Sequence, residues 1–220
     1  MNINTKSMFP HPDESDEDGL LCYGGNLEVD ILLDAYSHGI FPWPHEGYPL
    51  LWFSPPERGI IEFDKVHIPQ RLERFRKSWK GEFRIDTSFR EVITACAKKK
   101  RKGQRGTWIT ADMTNAYIAF HKAGYAHCVE AWEDNQLAGG VYGVFAGNVF
   151  SAESMFFNRP NCSKLCLWRL IEHLKGLGLT WLDVQVLTPA TEQFGGIYVP
   201  RDEFLERLRR EHEKNAVPFI

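Results

Sequence analysis

The residues from Leu137 to Phe157, LAGGVYGVFAGNVFSAESMFF, set the strongest limit on what this chain can fold into. Two apolar runs flank the turn sequence Ala146-Gly147-Asn148, which reads as two strands joined back to back. Side chains alternate faces along a strand. Ser151, Glu153 and Met155 are therefore expected on one face, with Phe150, Ala152 and Ser154 on the other. A carboxylate in so apolar a run is costly unless it is paired or hydrogen-bonded. Glu153 has either a structural partner, such as an internal salt bridge, or a chemical task.

A second polar insertion interrupts the apolar run Thr180-Trp181-Leu182-Asp183-Val184-Gln185. Asp183 and Gln185 lie two apart, so a strand here projects both from one face. A carboxylate beside an amide that donates and accepts suits the orientation of an amine nucleophile. A hydrogen-bonded core pair is the structural alternative. Two such strands, one with Ser151 and Glu153 and one with Asp183 and Gln185, favour a shared polar pocket.

Residues 1 to 63 read as a small unit of their own. An amphipathic helix from Glu28 to His38, started at Asn26 and stopped by Gly39, precedes Ile40-Phe41-Pro42-Trp43-Pro44 and Leu51-Trp52-Phe53-Ser54-Pro55-Pro56. Prolines and aromatics this dense favour rigid, extended segments. Trp43, Trp52 and Phe53 either pack the small unit against the larger one or face a ligand. From residue 64 to 220 helices and strands alternate. Asp86 is placed to cap a helix through Ala97, and Thr110 to cap the next. Glu133-Asp134-Asn135-Gln136 reads as a hairpin turn, and a helix from Asn161 or Ser163 to Lys175 carries Leu167, Leu170 and Leu174 at helical spacing. Helices flanking one mainly antiparallel sheet make the fold α+β.

At 220 residues the chain holds one large domain, or a medium one with a small attachment. The N-terminal residues lack the apolar core of a signal peptide, and no apolar run approaches a membrane span. Five scattered cysteines without CxxC spacing suggest reduced, buried thiols, no metal site and a cytoplasmic protein. The formal net charge is only -3, yet residues 98 to 105, KKKRKGQR, hold six of the 26 basic residues. Either this is a solvated loop or Lys98, Lys99, Lys100, Arg101, Lys102 and Arg105 grip phosphates beside Trp108, as single strands are often held.

The ordered set Gly24-Gly25, Ala35-Tyr36, Gly39-Ile40-Phe41-Pro42-Trp43, Leu51-Trp52-Phe53-Ser54-Pro55, Gly106-Thr107-Trp108-Ile109, Glu153-Ser154-Met155-Phe156, Asn161-Cys162-Ser163-Lys164 and Asp183-Val184-Gln185 resembles the leucyl/phenylalanyl-tRNA–protein transferases, from Phe9 to about Phe204. The resemblance implies a small N-terminal α/β domain packed on a larger acetyltransferase-like (GNAT) domain. It implies transfer of leucine, phenylalanine or methionine from charged tRNA to an N-terminal Arg or Lys, in the bacterial N-end rule pathway. No cofactor is expected, and the protein is expected to act as a monomer. By the same resemblance Asp183 and Gln185 position the acceptor amine with Glu153 beside them. Val141, Phe150, Met155, Leu167, Leu170, Leu174 and Leu182 line the pocket for the transferred side chain. Trp108, with Trp52 or Phe53, holds the terminal adenosine. This chain departs from the family in reading Trp52-Phe53 for Trp-Trp, and Thr188-Pro189-Ala190-Thr191 for Asn-Pro-His-Leu.

Two other classes compete. An acyl-CoA-dependent N-acetyltransferase wants a glycine-rich pyrophosphate loop before a helix, where this chain has Asn158-Arg159-Pro160-Asn161-Cys162. A non-catalytic RNA-binding module would leave Glu153, Asp183 and Gln185 without a purpose.

Overall fold

The structure, a computed structural model, describes residues 7–99 and 107–220. Its first part comprises β1 (Leu20–Tyr23), α1 (Val29–Ser37), β2 (Phe41–Pro42) and β3 (Leu51–Phe53). β3 lies between β1 and β2 in a three-stranded antiparallel sheet. Asn26 works just ahead of α1, accepting the N–H of Glu28, which is the N-cap itself. Gly39 ends the helix with φ 75°, and a Cβ there would lie 2.8 Å from Leu205.

The chain continues through β4 (Glu57–Glu62), α2 (Gln70–Ser78), β5 (Glu82–Ile85), α3 (Phe89–Lys98), α4 (Ala111–Lys122), β6 (Ala126–Glu133), β7 (Gln136–Ala146) and β8 (Val149–Phe157). It closes with α5 (Cys162–Gly176), β9 (Trp181–Gln185), the short α6 (Pro189–Glu192), β10 (Ile197–Pro200) and α7 (Arg201–His212). Seven strands form one sheet in the order β10-β4-β9-β8-β7-β6-β5. Neighbours are antiparallel except β8 and β9, which run parallel and register only at Ser151 against Asp183. The α+β class is as expected.

β4 precedes the division expected after residue 63 and is an interior strand of the large sheet. The chain leaves the small sheet at Ser54-Pro55-Pro56. Ser54 still donates its N–H to Gly19, but the two prolines have none to extend the ladder. Nor do the two sheets keep separate cores. Leu32, Tyr36, Phe41 and Trp52 share one buried cluster with Val92, Met113, Tyr117 and Tyr142. The opposite face of the large sheet packs on α5 through a second cluster.

Both hairpins of the large sheet turn as the sequence suggests. Asp134 and Asn135 have φ 50° and 58°, and Gly147 and Asn148 have φ 55° and 64°, the positive values that two-residue hairpin turns require. Alternation along β8 does not survive, however. Its register with β7 passes from Ser154 opposite Tyr142 to Ala152 opposite Gly143, which leaves Glu153 as the extra residue of a bulge. Beyond it the faces exchange, so Met155 packs with Phe150 and Ala152 and not with Ser151 and Glu153. Gly143 permits the bulge, since a Cβ there would lie 2.3 Å from the Ser151 carbonyl.

Asp86 does not cap α3. With φ 56°, it accepts the Cys128 N–H and pairs with His127, so its carboxylate is spent on β6. Ser88 is the N-cap, and its N–H goes to Glu130. Thr110 caps α4 by accepting the Met113 N–H.

Candidate active site

Asp183 sits where β8 and β9 part, fully buried, and every lone pair it carries is used. Oδ1 accepts Arg58 Nε–H at 2.9 Å and the Gln185 N–H at 2.8 Å. Oδ2 accepts Arg58 Nη2–H at 2.8 Å and the Ser151 hydroxyl at 2.8 Å. Arg58 is itself 2 % exposed, lies between the rings of Phe41 and Phe204, and donates Nη1–H to the Gly39 carbonyl. A planar fork between two aromatic faces is a task for arginine and not for lysine. Sequence reasoning missed Arg58, whose partner Asp183 lies 125 residues further along the chain.

Gln185 ends β9 in an unusual backbone state. Its φ is 57°, and the Val186 N–H reaches back to the Val184 carbonyl at 2.6 Å, a γ-turn of the strained hand. Asp183 holds this turn through the Gln185 N–H. The turned side chain donates Nε2–H to Glu153 Oε1 at 2.5 Å. Strain at a non-glycine residue that its neighbours over-determine is a mark of functional positions.

Glu153 is partly exposed and, among the described residues, has no salt bridge. Its Oε1 accepts from Gln185 and, at 2.7 Å, from the Tyr36 hydroxyl, which in turn meets the Tyr117 hydroxyl. Among the described residues Oε2 has no hydrogen-bond partner. Burial is the largest influence on this carboxyl and pushes it up to about 7, against the lowering effect of the Tyr36 and Gln185 hydrogen bonds; Asp183 adds to the rise and Arg58 opposes it. A carboxyl with one fixed oxygen, one open oxygen and a neutral-range pKa can exchange a proton with a bound amine. Ser151, Glu153, Asp183 and Gln185 are thus brought together, as the two polar insertions suggested.

The seven apolar residues also meet. Val141, Phe150, Leu167, Leu170, Leu174 and Leu182 are buried in the cluster under α5, and Met155 packs at its margin, partly exposed. The ring of Phe219 stacks on Phe150 and closes the far side.

The aromatics divide. Trp52 is 1 % exposed, has Phe9 against its ring and donates its indole N–H to the Gly24 carbonyl, so it offers no face to a base. Phe53 alternates to the other side of β3 and gathers Trp43 and His45 at ring distances of 5.9 and 6.2 Å. It also edges a cavity of about 280 Å³ lined by Asp16, Asp18, His45 and Tyr48. Trp108 is partly buried against the first core cluster. Of the basic run, Lys98 ends α3, and Lys99 donates to the Phe157 carbonyl and lies over its ring. Lys100, Arg101, Lys102 and Arg105 lie outside the described residues.

One group of metal-ligand type stands apart from this site among the described residues, formed by Asp86, His121 and His127. Both oxygens of Asp86 and both ring nitrogens of His127 already have partners, and His121 Nδ1 meets the Ala126 carbonyl. Only His121 Nε2 remains, too little to hold an ion.

A family model described as leucyl/phenylalanyl-tRNA protein transferase matches residues 60–209, and the model of that family's N-terminal domain matches residues 25–56. The leucyl/phenylalanyl-tRNA–protein transferase of Anaeromyxobacter sp. (strain K) is 44% identical over 208 residues, spanning 94% of this chain and 88% of its own. That of Pseudoalteromonas translucida (strain TAC 125) is 44% identical over 220 residues, spanning 99% and 92%. Among solved structures, the C-terminal domain of a putative lysylphosphatidylglycerol synthetase from Agrobacterium fabrum aligns with TM-score 0.42 and 10% identity over 72% of this chain and 52% of that one. With relatives this similar over nearly its whole length, the chain belongs to the leucyl/phenylalanyl-tRNA–protein transferase family.

Proposed function

We infer that this chain transfers leucine, phenylalanine or methionine from an aminoacyl-tRNA to the N-terminal Arg or Lys of an acceptor protein, the step that marks proteins in the bacterial N-end rule pathway. Family membership over nearly the whole chain carries this reading.

The aminoacyl ester arrives activated, and an α-amine with a pKa of about 7.7–8.0 is partly neutral near pH 7. The reaction therefore needs orientation and a proton acceptor, and no cofactor. The amine lone pair attacks the ester carbonyl, a C–N bond forms, and the C–O bond to the ribose breaks. Glu153 Oε2 takes the amine proton, which then leaves with the ribose oxygen. Gln185 holds Glu153 and borders the amine. Asp183 acts through Arg58, Ser151 and Gln185 as the fixed floor; its filled lone pairs support a positioning role over that of a base.

The transferred side chain enters the cluster of Val141, Phe150, Leu167, Leu170, Leu174 and Leu182 past Met155, whose unbranched thioether yields most easily. Phe53 and Trp108 hold the terminal adenosine, and the basic run from Lys98 to Arg105 meets the tRNA backbone. The sheet, with one parallel pair parting beyond Ser151 and Asp183, supports an acetyltransferase-like arrangement for the large domain. The protein acts as a monomer in the cytoplasm, where charged tRNA is held.

The loop before α5 supports transfer from tRNA over transfer from acyl-CoA. The N–H groups of Asn158 and Arg159 both go to the Ala138 carbonyl, so they are unavailable to a pyrophosphate. Incubation with Leu-tRNA or leucyl-CoA and a peptide beginning with Arg tests the reading. Leucyl-peptide is expected from the tRNA donor alone, and product from the CoA ester alone would reverse the assignment.

A further inference from the structure

We propose that Tyr36 and Tyr117 are positioning residues for the transfer step, forming a hydrogen-bonded chain that fixes Glu153 with one oxygen held and the other turned to the acceptor amine. The proposal rests on the reading of Glu153 as the proton acceptor. Tyr36 comes from the last turn of α1 and Tyr117 from the middle of α4, 81 residues away, and both are buried. At either place a phenylalanine would pack as well, and a buried hydroxyl is costly without a partner. Both hydroxyls instead converge on one carboxylate.

The direction of the chain follows from proton count. Tyr36 has one proton and gives it to Glu153 Oε1, so Tyr117 supplies the proton between the two hydroxyls. Burial and the nearby Glu153 charge raise both phenols well above their ordinary pKa, so both stay neutral donors at working pH. A donor to a carboxylate favours its charged form, the form that accepts a proton. Among the described residues, Gln185, Asp183 and Arg58 are the other polar groups that act on Glu153 most, and none of them comes from the helical side. The small N-terminal unit thereby supplies a working part of the site through Tyr36.

The test is the pH dependence of single-turnover transfer from Leu-tRNA to an Arg-peptide by native protein, Tyr36→Phe, Tyr117→Phe, the double variant and Glu153→Gln. Tyr36→Phe is expected to move the acidic limb of the profile upward, so that the loss at pH 6.5 exceeds that at pH 8.5 by about tenfold, one pKa unit's worth. Tyr117→Phe should move it less and in the same direction. The double variant should match Tyr36→Phe, because Tyr117 acts through Tyr36. A carbon-13 titration of the Glu153 carboxyl in native protein and Tyr117→Phe supplies a reading that does not depend on turnover. Equal losses at all pH values, or an unmoved limb and titration, would overturn the proposal. If Glu153→Gln abolishes transfer in that case, only the tyrosine chain falls. Near-native transfer by a folded Glu153→Gln would sink the proton-acceptor reading and the proposal together.

Discussion

Arg58 and Asp183 are 125 positions apart in the chain, yet they meet through two parallel hydrogen bonds with almost no exposure to solvent. This pair joins β4 to β9, and through Nη1 it joins both to the end of α1. Removing one partner from such a pair leaves a buried charge uncompensated, which costs about 3–5 kcal/mol. Asp183→Asn and Arg58→Ala are therefore expected to lower the urea midpoint strongly as well as reduce transfer. Arg58→Lys should recover little, since an ammonium cannot span both oxygens. An Asp183→Asn protein with native stability and no transfer would instead give Asp183 a direct part in the chemistry.

Glu153 should show the opposite trade. Its carboxyl is near 7 in the fold against about 4.5 in the unfolded chain, so the folded state binds the proton more tightly. Stability from this group is present below pH 4.5 and is lost as pH rises through the window up to about 7. Glu153→Gln keeps the shape without the charge. At pH 8 it should be more stable than native by on the order of 1–3 kcal/mol, while transfer falls. Urea unfolding of both proteins at pH 5 and pH 8 reads the difference, which should be small at pH 5.

Trp52 and Phe53 are neighbours with opposite expected phenotypes. Trp52→Ala empties a core position and should cost about 3–5 kcal/mol of stability. Phe53→Ala should leave the melting temperature near native and weaken Leu-tRNA binding by about 1–3 kcal/mol through lost stacking. Calorimetry and a filter-binding titration on both variants would expose an exchange of these roles.

Leu170 is fully buried beneath β7 and β8, among residues assigned to the transferred side chain. Leu170→Ala should cost about 2–5 kcal/mol and leave a cavity there. Transfer of phenylalanine relative to leucine should rise, within the limit of about 1–3 kcal/mol for apolar discrimination. An unchanged ratio in competition between the two charged tRNAs would place the donor side chain elsewhere.

The parts legible in the sequence were those written in local pattern. The hairpins around Asp134-Asn135 and Gly147-Asn148, the Thr110 cap and the leucines of α5 all follow from spacing within a few residues. The polar insertions at Glu153 and Asp183 stood out against apolar runs. What stayed hidden depends on partners far along the chain. Arg58 looks like a surface residue until β9 is laid beside β4, and Tyr36 looks like plain core until α4 brings Tyr117. The bulge at Glu153 is a property of pairing with β7, so strict alternation misassigned Met155. Trp52 and Phe53 are chemically alike, and only the small sheet decides which one is inside.

The buried cluster shared by the small sheet unit and α3, α4 and β7 restricts how members of this family can exchange parts. A chimera joined at Pro55 would import a foreign Tyr36, Phe41 and Trp52 into a seam whose other half was shaped by Val92, Met113 and Tyr117. It would also import the Gly39 carbonyl that Arg58 needs. Substitutions along that seam therefore have to be inherited as matched sets, and the first 55 residues cannot be traded as a module.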